Sequence, residues 1–136
     1  MQVRFMNPEE ISHVREVINN DPEFRLASRF FSKDILLVVG ESKCLVNVRD
    51  GVITEIKLEP TFMNPWNFFI RGSVEAWQKF LQSKPPPFFT DLYGGIARKN
   101  FELGGDIEAA FAHFWPLTRM LDLMRQLQNE EVNGAT

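Results

Sequence analysis

Apolar and polar positions change period several times along this chain, and each change predicts an element. Asn7-Pro8-Glu9-Glu10 is a helix start, with Asn as cap, Pro in the first helical position and two carboxylates at the positive end of the dipole. Ile11, Val14, Val17 and Ile18 then fall on one stripe. Asp21-Pro22-Glu23 repeats the start signal; Phe24, Ala27 and Phe31 follow at helical spacing, with Leu26 and Phe30 widening the face. From Asp34 the period becomes that of strands. ILLVVG, CLVNVRDG and VITEIKLEP are rich in β-branched residues and are separated by turn chemistry at 40–43 and at Asp50-Gly51, which predicts a three-stranded meander. Residues 35–39 are apolar throughout and require cover on both faces. The third strand alternates, Val52, Ile56 and Leu58 against Glu55 and Lys57, so one face of the sheet is expected to be partly wet.

Phe68-Phe69-Ile70-Arg71 reads as a fourth strand, and Ser73 caps a helix whose Val74, Trp77 and Leu81 share a side, with Phe80 adjacent. Pro85-Pro86-Pro87 ends that segment. A short helix weakened by Gly94-Gly95 is expected within 90–98, and KNFELGG after it alternates as a fifth strand. The last helix starts at the cap Asp106 and runs towards residue 129. Ile107, Ala110, Phe111, Phe114, Leu117, Leu121 and Met124 lie on one side of it, and Trp115, Met120, Leu123 and Leu127 extend beyond that side. Pro116 should kink or split it near the middle. Residues 1–136 form a single domain by this reading, with 1–6 and 129–136 frayed.

Three phenylalanine doublets, Phe30-Phe31, Phe68-Phe69 and Phe88-Phe89, sharpen the picture. Neighbours on a strand point to opposite faces and neighbours on a helix sit about 100° apart, so one core face cannot absorb both rings. Leaving one ring in water forgoes roughly 1.5–3 kcal/mol. Each doublet therefore asks for apolar surroundings on two sides: a second packed layer, a partner subunit or a bound apolar molecule.

Composition excludes several classes of function. Of the 136 residues only one is cysteine, Cys44, so there is no disulfide framework and a reducing, cytoplasmic location is expected. Residues 1–10 lack the basic and apolar pattern of a secretory signal, and no apolar run is long enough to span a membrane. The net charge is −3 and the fifteen Lys and Arg are scattered, which argues against nucleic acid as a partner. With only His13 and His113 a metal site is not expected, and no phosphate-cradling or dinucleotide motif predicts a cofactor. Asp91, Tyr93, Asp106 and His113 are polar groups among aromatics, so acid/base chemistry on shifted pKa values is one reading of them. A turn former, an interface tyrosine, a helix cap and a solvated histidine are the corresponding structural readings. Asn47 and Arg71, polar positions inside strands, are either satisfied core groups or partners for a ligand's polar head.

Taken in order, capped helices, a meander ending in RDGVITEIKLEP, then FFIRGSVEAWQKFLQSKPPP and NFELGGDIEAAFAHFWPLTRMLDLM resemble the lipid-binding domain of the sterol carrier protein family. Gly105-Asp106 matches that family's Gly-Asp pair before the last helix, residues 73–81 its preceding helix and residues 52–58 the strand after its hairpin. The match spans roughly residues 11–127 and consists of residue-type patterns, not a catalytic signature. The resemblance implies an α+β fold: a mixed five-stranded sheet covered by helices mainly on one face, with an apolar tunnel between sheet and helices. It also implies binding and carriage of sterols, fatty acyl chains or similar molecules without cofactor or covalent chemistry. The aromatic Phe88-Phe89 loop and Trp115-Pro116 depart from the family pattern.

Three readings follow. In the first, the protein holds a hydrophobic or amphipathic small molecule. Phe69, Phe88, Phe89 and Tyr93 line the space together with Phe111, Phe114, Trp115 and Met124, and Arg71 or Asn47 meets a polar end. The second places a small enzyme in the same pocket, with Tyr93 or His113 as proton donor and Asp91 or Asp106 as base. The third buries the surplus apolar surface in a homodimer with no cavity.

Overall fold

In the computed structural model, which describes residues 3–130, helices α1 (Ile11–Asn20) and α2 (Pro22–Ala27) lead into strands β1 (Asp34–Val39), β2 (Ser42–Arg49) and β3 (Val52–Leu58). Strand β4 (Phe68–Gly72), helices α3 (Val74–Phe80) and α4 (Leu92–Ala97), strand β5 (Phe101–Gly105) and helices α5 (Ile107–Ala112) and α6 (Phe114–Gln128) follow. The strands form one mixed sheet in the order β3-β2-β1-β4-β5, with β1 and β4 parallel at its centre and every other pair antiparallel. This is an α+β fold.

Alternation along β1 sorts its residues into two cores. Ile35, Leu37 and Val39 join Val46, Val48 and Ile70 against helix residues such as Val14, Ile18, Phe24, Trp77, Leu117 and Leu121. Leu36 and Val38 point the other way and form a smaller cluster with Leu45 and Phe69, to which no helix contributes. The cover on that face follows from topology. Strand β3 ends opposite the start of β2 (Leu58 on Cys44), whereas β4 begins beside the start of β1 (Phe68 on Ile35). Residues 59–67 must therefore run the length of the sheet across β2 and β1. The strap arrives on the Phe69 side, where Trp66 meets that ring edge-on at 5.4 Å.

Several local expectations are corrected. A β-bulge at Asn47/Val48 adds one residue to β3, so Ile53 packs inward opposite Val48 and Val52 faces solvent. Helix α1 begins only at Ile11. Asn7 does cap, its Oδ1 accepting from the Glu9 amide at 3.0 Å, but residues 8–10 form a turn before the helix. Helix α2 stops at Ala27, and the turn after it buries Phe31 while turning Phe30 outward at 81% exposure. The split expected in the last helix is present, at His113, and it places Pro116 in the first turn of α6, where a missing N–H costs nothing. In α3 the buried side carries Trp77, Phe80 and Ala76, and Val74 is exposed. The chain start is held from Val3 onward, since Val3 and Phe5 are buried and the Arg4 amide donates to Gln128 Oε1 at 2.8 Å. The frayed ends expected at 1–2 and 131–136 lie outside the described residues.

Asp21 joins two helices. One carboxylate oxygen accepts from the Phe24 amide (2.8 Å), capping α2, while Arg119 of α6 donates to both oxygens at 2.9 and 2.8 Å. The Arg119 hydrogen bonds hold this carboxyl below the ordinary value of 3.8 even though its burial opposes that. A depressed folded pKa means the stabilisation is present above the unfolded value and is lost as pH falls through the folded one. Asp21→Asn should therefore lower Tm at neutral pH, with the gap from the parent closing as pH falls below 3.8 and through the lowered folded value. A gap of constant size across an acid titration of Tm would refute the assignment.

Candidate ligand-binding site

Each of the three doublets sends its rings to two different surroundings, but these do not meet in a common space. Phe68 enters the main core and Phe69 the smaller one on the opposite face, so that pair is satisfied by the two sides of the sheet. Phe31 and Phe89 are buried, whereas Phe30 and Phe88 lie at the surface under arginines, Arg29 at 5.1 Å and Arg98 at 3.8 Å from the ring centres. A guanidinium lies near each of these two rings, and they share no contact. Phe88 also adopts a left-handed backbone (φ 70°), an uncommon conformation for a bulky residue.

What the structure does gather is Tyr93 of α4, Phe111 of α5 and Phe114 of α6. Phe111 and Phe114 stack with centroids 5.8 Å apart, and Tyr93 meets both edge-on at 6.5 and 6.2 Å. Tyr93 is 61% exposed and Phe111 46%, so this is an aromatic cluster at the surface. Two caps set the rings there: Asp91 Oδ1 accepts from the Gly94 amide (2.6 Å) to start α4, and Asp106 Oδ1 accepts from the Ala109 amide (3.0 Å) to start α5. Ile96 of α4, Leu103 of β5 and Ala109 of α5 pack on the main core from these same elements yet remain partly exposed. The helix layer is thus incompletely closed over β5. Ile96 and Leu103 were not among the sequence candidates, although the alternation of KNFELGG marks Leu103 as an inward position.

The other candidates fall elsewhere. Phe89 and Met124 are core residues, Phe89 lying edge-on to Phe101 at 6.4 Å. Trp115 is exposed, with its indole N–H 3.5 Å from Glu23. Arg71 lies on the sheet face opposite the helices, 4.8 Å over the Phe69 ring and paired with Glu102 at 3.1 Å. Asn47 donates to Asp34 (2.6 Å), which Arg49 also holds at 2.8 Å. Burial raises the Asp34 pKa, but these Arg49 and Asn47 hydrogen bonds outweigh it and leave the pKa below 3.8.

Of the groups considered for acid/base work, Asp106 and His113 share a shallow depression of about 340 Å³ with Lys33 and Glu108. His113 packs tilted against Phe31, ring centres 4.7 Å apart; burial, helped by Lys33, lowers its pKa from 6.5 and favours the neutral ring. Tyr93 and Asp91 do not line that depression. Burial pushes the Cys44 thiol up to about 12, so it stays protonated. Among the described residues no group of three or more His, Cys, Asp or Glu could hold a metal ion, and no helix is long and apolar enough to cross a membrane.

A mixed five-stranded sheet with a helix layer on one face and a crossover strap on the other defines a two-layer α+β protein. That fold is the one seen in sterol carrier protein 2 domains. A crystal structure of sterol carrier protein 2 matches 85% of this chain and 92% of its own, at 17% identity and a TM-score of 0.69. A protein from Thermus thermophilus, described as possibly a sterol carrier protein, matches 98% of this chain and 96% of its own at 15% identity and a TM-score of 0.73. The apo form of sterol carrier protein 2 from Yarrowia lipolytica matches 91% and 96% at 10% identity and a TM-score of 0.55. No protein-family model matches the sequence, and no curated protein does. The likeness is one of fold.

Proposed function

We propose that this protein binds and carries a hydrophobic or amphipathic small molecule, without chemistry, and that the apolar body of the molecule enters between α4, α5 and β5. The observation that supports this reading most is the surface cluster of Tyr93, Phe111 and Phe114 beside the partly exposed Ile96 and Leu103. Folding leaves this apolar area only half covered, and a bound chain or ring system would finish removing it from water. The sterol carrier fold supports the same reading, since proteins of that name share the sheet and helix layer. Asp91 and Asp106 are occupied as helix caps, which favours binding over acid/base turnover.

The test is displacement of a fluorescent fatty acid, cis-parinarate, from the purified protein. Phe111→Asp places a charge in the cluster and should weaken binding on the order of tenfold or more. Tyr93→Ser should weaken it less, and neither should change the far-UV circular dichroism, because both rings are largely at the surface. Unaltered affinity in both variants would remove the cluster from the site. A wild type that sediments as a dimer and takes up no probe would favour self-association instead.

A further inference from the structure

Away from the aromatic cluster, at the end of the sheet where β4 leaves and β5 begins, an open depression of about 470 Å³ is lined by Arg71, Ser73, Lys99, Asn100 and Glu102 over a floor that includes Gly72 and Ala76. Lys99 occupies an unusual place in it. The end of α4 closes with paired hydrogen bonds, the Lys99 amide to the Ile96 carbonyl (3.0 Å) and the Asn100 amide to the Gly95 carbonyl (2.8 Å). That pairing puts Lys99 at the one position of the motif that needs a left-handed backbone and that glycine normally fills. Its φ is 61°.

A lysine kept where glycine would be less strained points to a use for its side chain. Lys99 makes no ion pair among the described residues, and its ammonium is free to meet a ligand. Arg71 spends one Nη on Glu102 (3.1 Å) and lies over the Phe69 ring, which leaves further N–H donors of its fork open. The Ser73 oxygen accepts from the Ala76 amide (3.0 Å), so its hydroxyl hydrogen is still available to donate. Asn100 adds an amide. Arg71 and Lys99 against Glu102 leave the depression one positive charge.

We propose that this depression binds a small oxyanion, a carboxylate or a phosphate, held between Lys99 and Arg71 with Ser73 and Asn100 donating. The site is separate from the aromatic cluster, so either can fail without the other.

Titration with inorganic phosphate at constant ionic strength, followed by amide shifts, tests it directly. Saturable shifts are expected at Ser73, Lys99, Asn100 and Glu102. Lys99→Gln and Arg71→Gln should each weaken them by about tenfold. Lys99→Gly should raise Tm by a few degrees while losing phosphate in the same way, because it removes the strain and the cation together. Parinarate affinity should be unchanged in Lys99→Gln. A second arm measures co-sedimentation with phosphatidylcholine vesicles with and without phosphatidic acid. Binding to the acidic vesicles that Lys99→Gln abolishes assigns the anion to a lipid headgroup, whereas phosphate binding alone assigns a soluble anion. Shifts that never saturate, or an affinity for phosphate equal in Lys99→Gln, Lys99→Gly and the parent, would overturn the proposal.

Discussion

Replacing Trp77 with alanine should cost about 3–5 kcal/mol of unfolding free energy, a large part of the roughly 5–15 kcal/mol that holds a domain together. Trp77 is fully buried on α3, where its indole N–H donates to the Val38 carbonyl at 2.8 Å. Its ring meets Phe5 at 5.5 Å, Phe80 at 5.9 Å and Phe101 at 5.0 Å, all edge-on. The neighbourhood has no slack: a Cβ added at Gly72 would sit 2.6 Å from the Phe101 ring and 3.2 Å from the Trp77 indole. A cavity here cannot close cheaply. Trp77→Phe keeps most of the apolar surface but loses the indole's hydrogen bond to the Val38 carbonyl, so a smaller loss of about 1–3 kcal/mol is expected. The effect also reaches the proposed site. Phe101 is the surface on which Gly95 of α4 packs, a Cβ there coming within 2.5 Å of that ring. Loosening Phe101 therefore loosens the helix that carries Tyr93, and parinarate binding should weaken along with stability. Urea denaturation of the two variants decides this; a Trp77→Ala loss under about 1 kcal/mol would show that the cluster is not tightly packed.

Arg125→Ala should be nearly as damaging, with a loss of about 2–4 kcal/mol that is local before it is global. From α6, Arg125 donates through Nε to the Phe80 carbonyl (2.7 Å) and through Nη2 to the carbonyls of Phe89 (3.1 Å) and Thr90 (3.0 Å). Its guanidinium also lies 4.5 Å over the Phe80 ring. One side chain thus ties both ends of the proline-rich segment between α3 and α4 to the last helix. Burial lowers its pKa, and Asp122, 3.8 Å away, offsets part of that cost. Lysine cannot replace it, because an ammonium on a flexible stem cannot serve three carbonyls from one fixed plane. In hydrogen exchange the amides near Phe89 should open first in both Arg125→Ala and Arg125→Lys, and chymotrypsin should cut at Phe88 or Phe89 before unfolding elsewhere. Uniform loss of protection across the chain would contradict this role.

Much of the fold was legible because its signals are local. Asp21, Ser73 and Asp106 announce helix starts by side chains that bond an amide three residues on, which needs no knowledge of the rest of the chain, whereas Asp91, read as a turn former, caps α4 in the same way. The unbroken apolar run of β1 showed that both its faces would be covered, and the order of elements pointed to the sterol carrier arrangement that the solved structures share. Less of the site was legible. Tyr93, Phe111 and Phe114 were among the predicted lining residues and do meet, whereas Phe69 and Arg71 lie on the other face of the sheet. Leu103 and Ile96 went unnoticed because being partly buried has no period of its own.

The amino-acid sequence by itself determined which stretches are helix or strand, and that more aromatic surface exists than one core face can take up. Only the tertiary structure decided the strand order, the strap that crosses the second face, the bulge that turns Ile53 inward, and that Phe30 and Phe88 are the doublet rings left at the surface. Periodicity records that a face is buried but not what it is buried against. Strand pairing and helix packing join residues far apart in the chain, and their choice depends on the shape and volume of every partner at once.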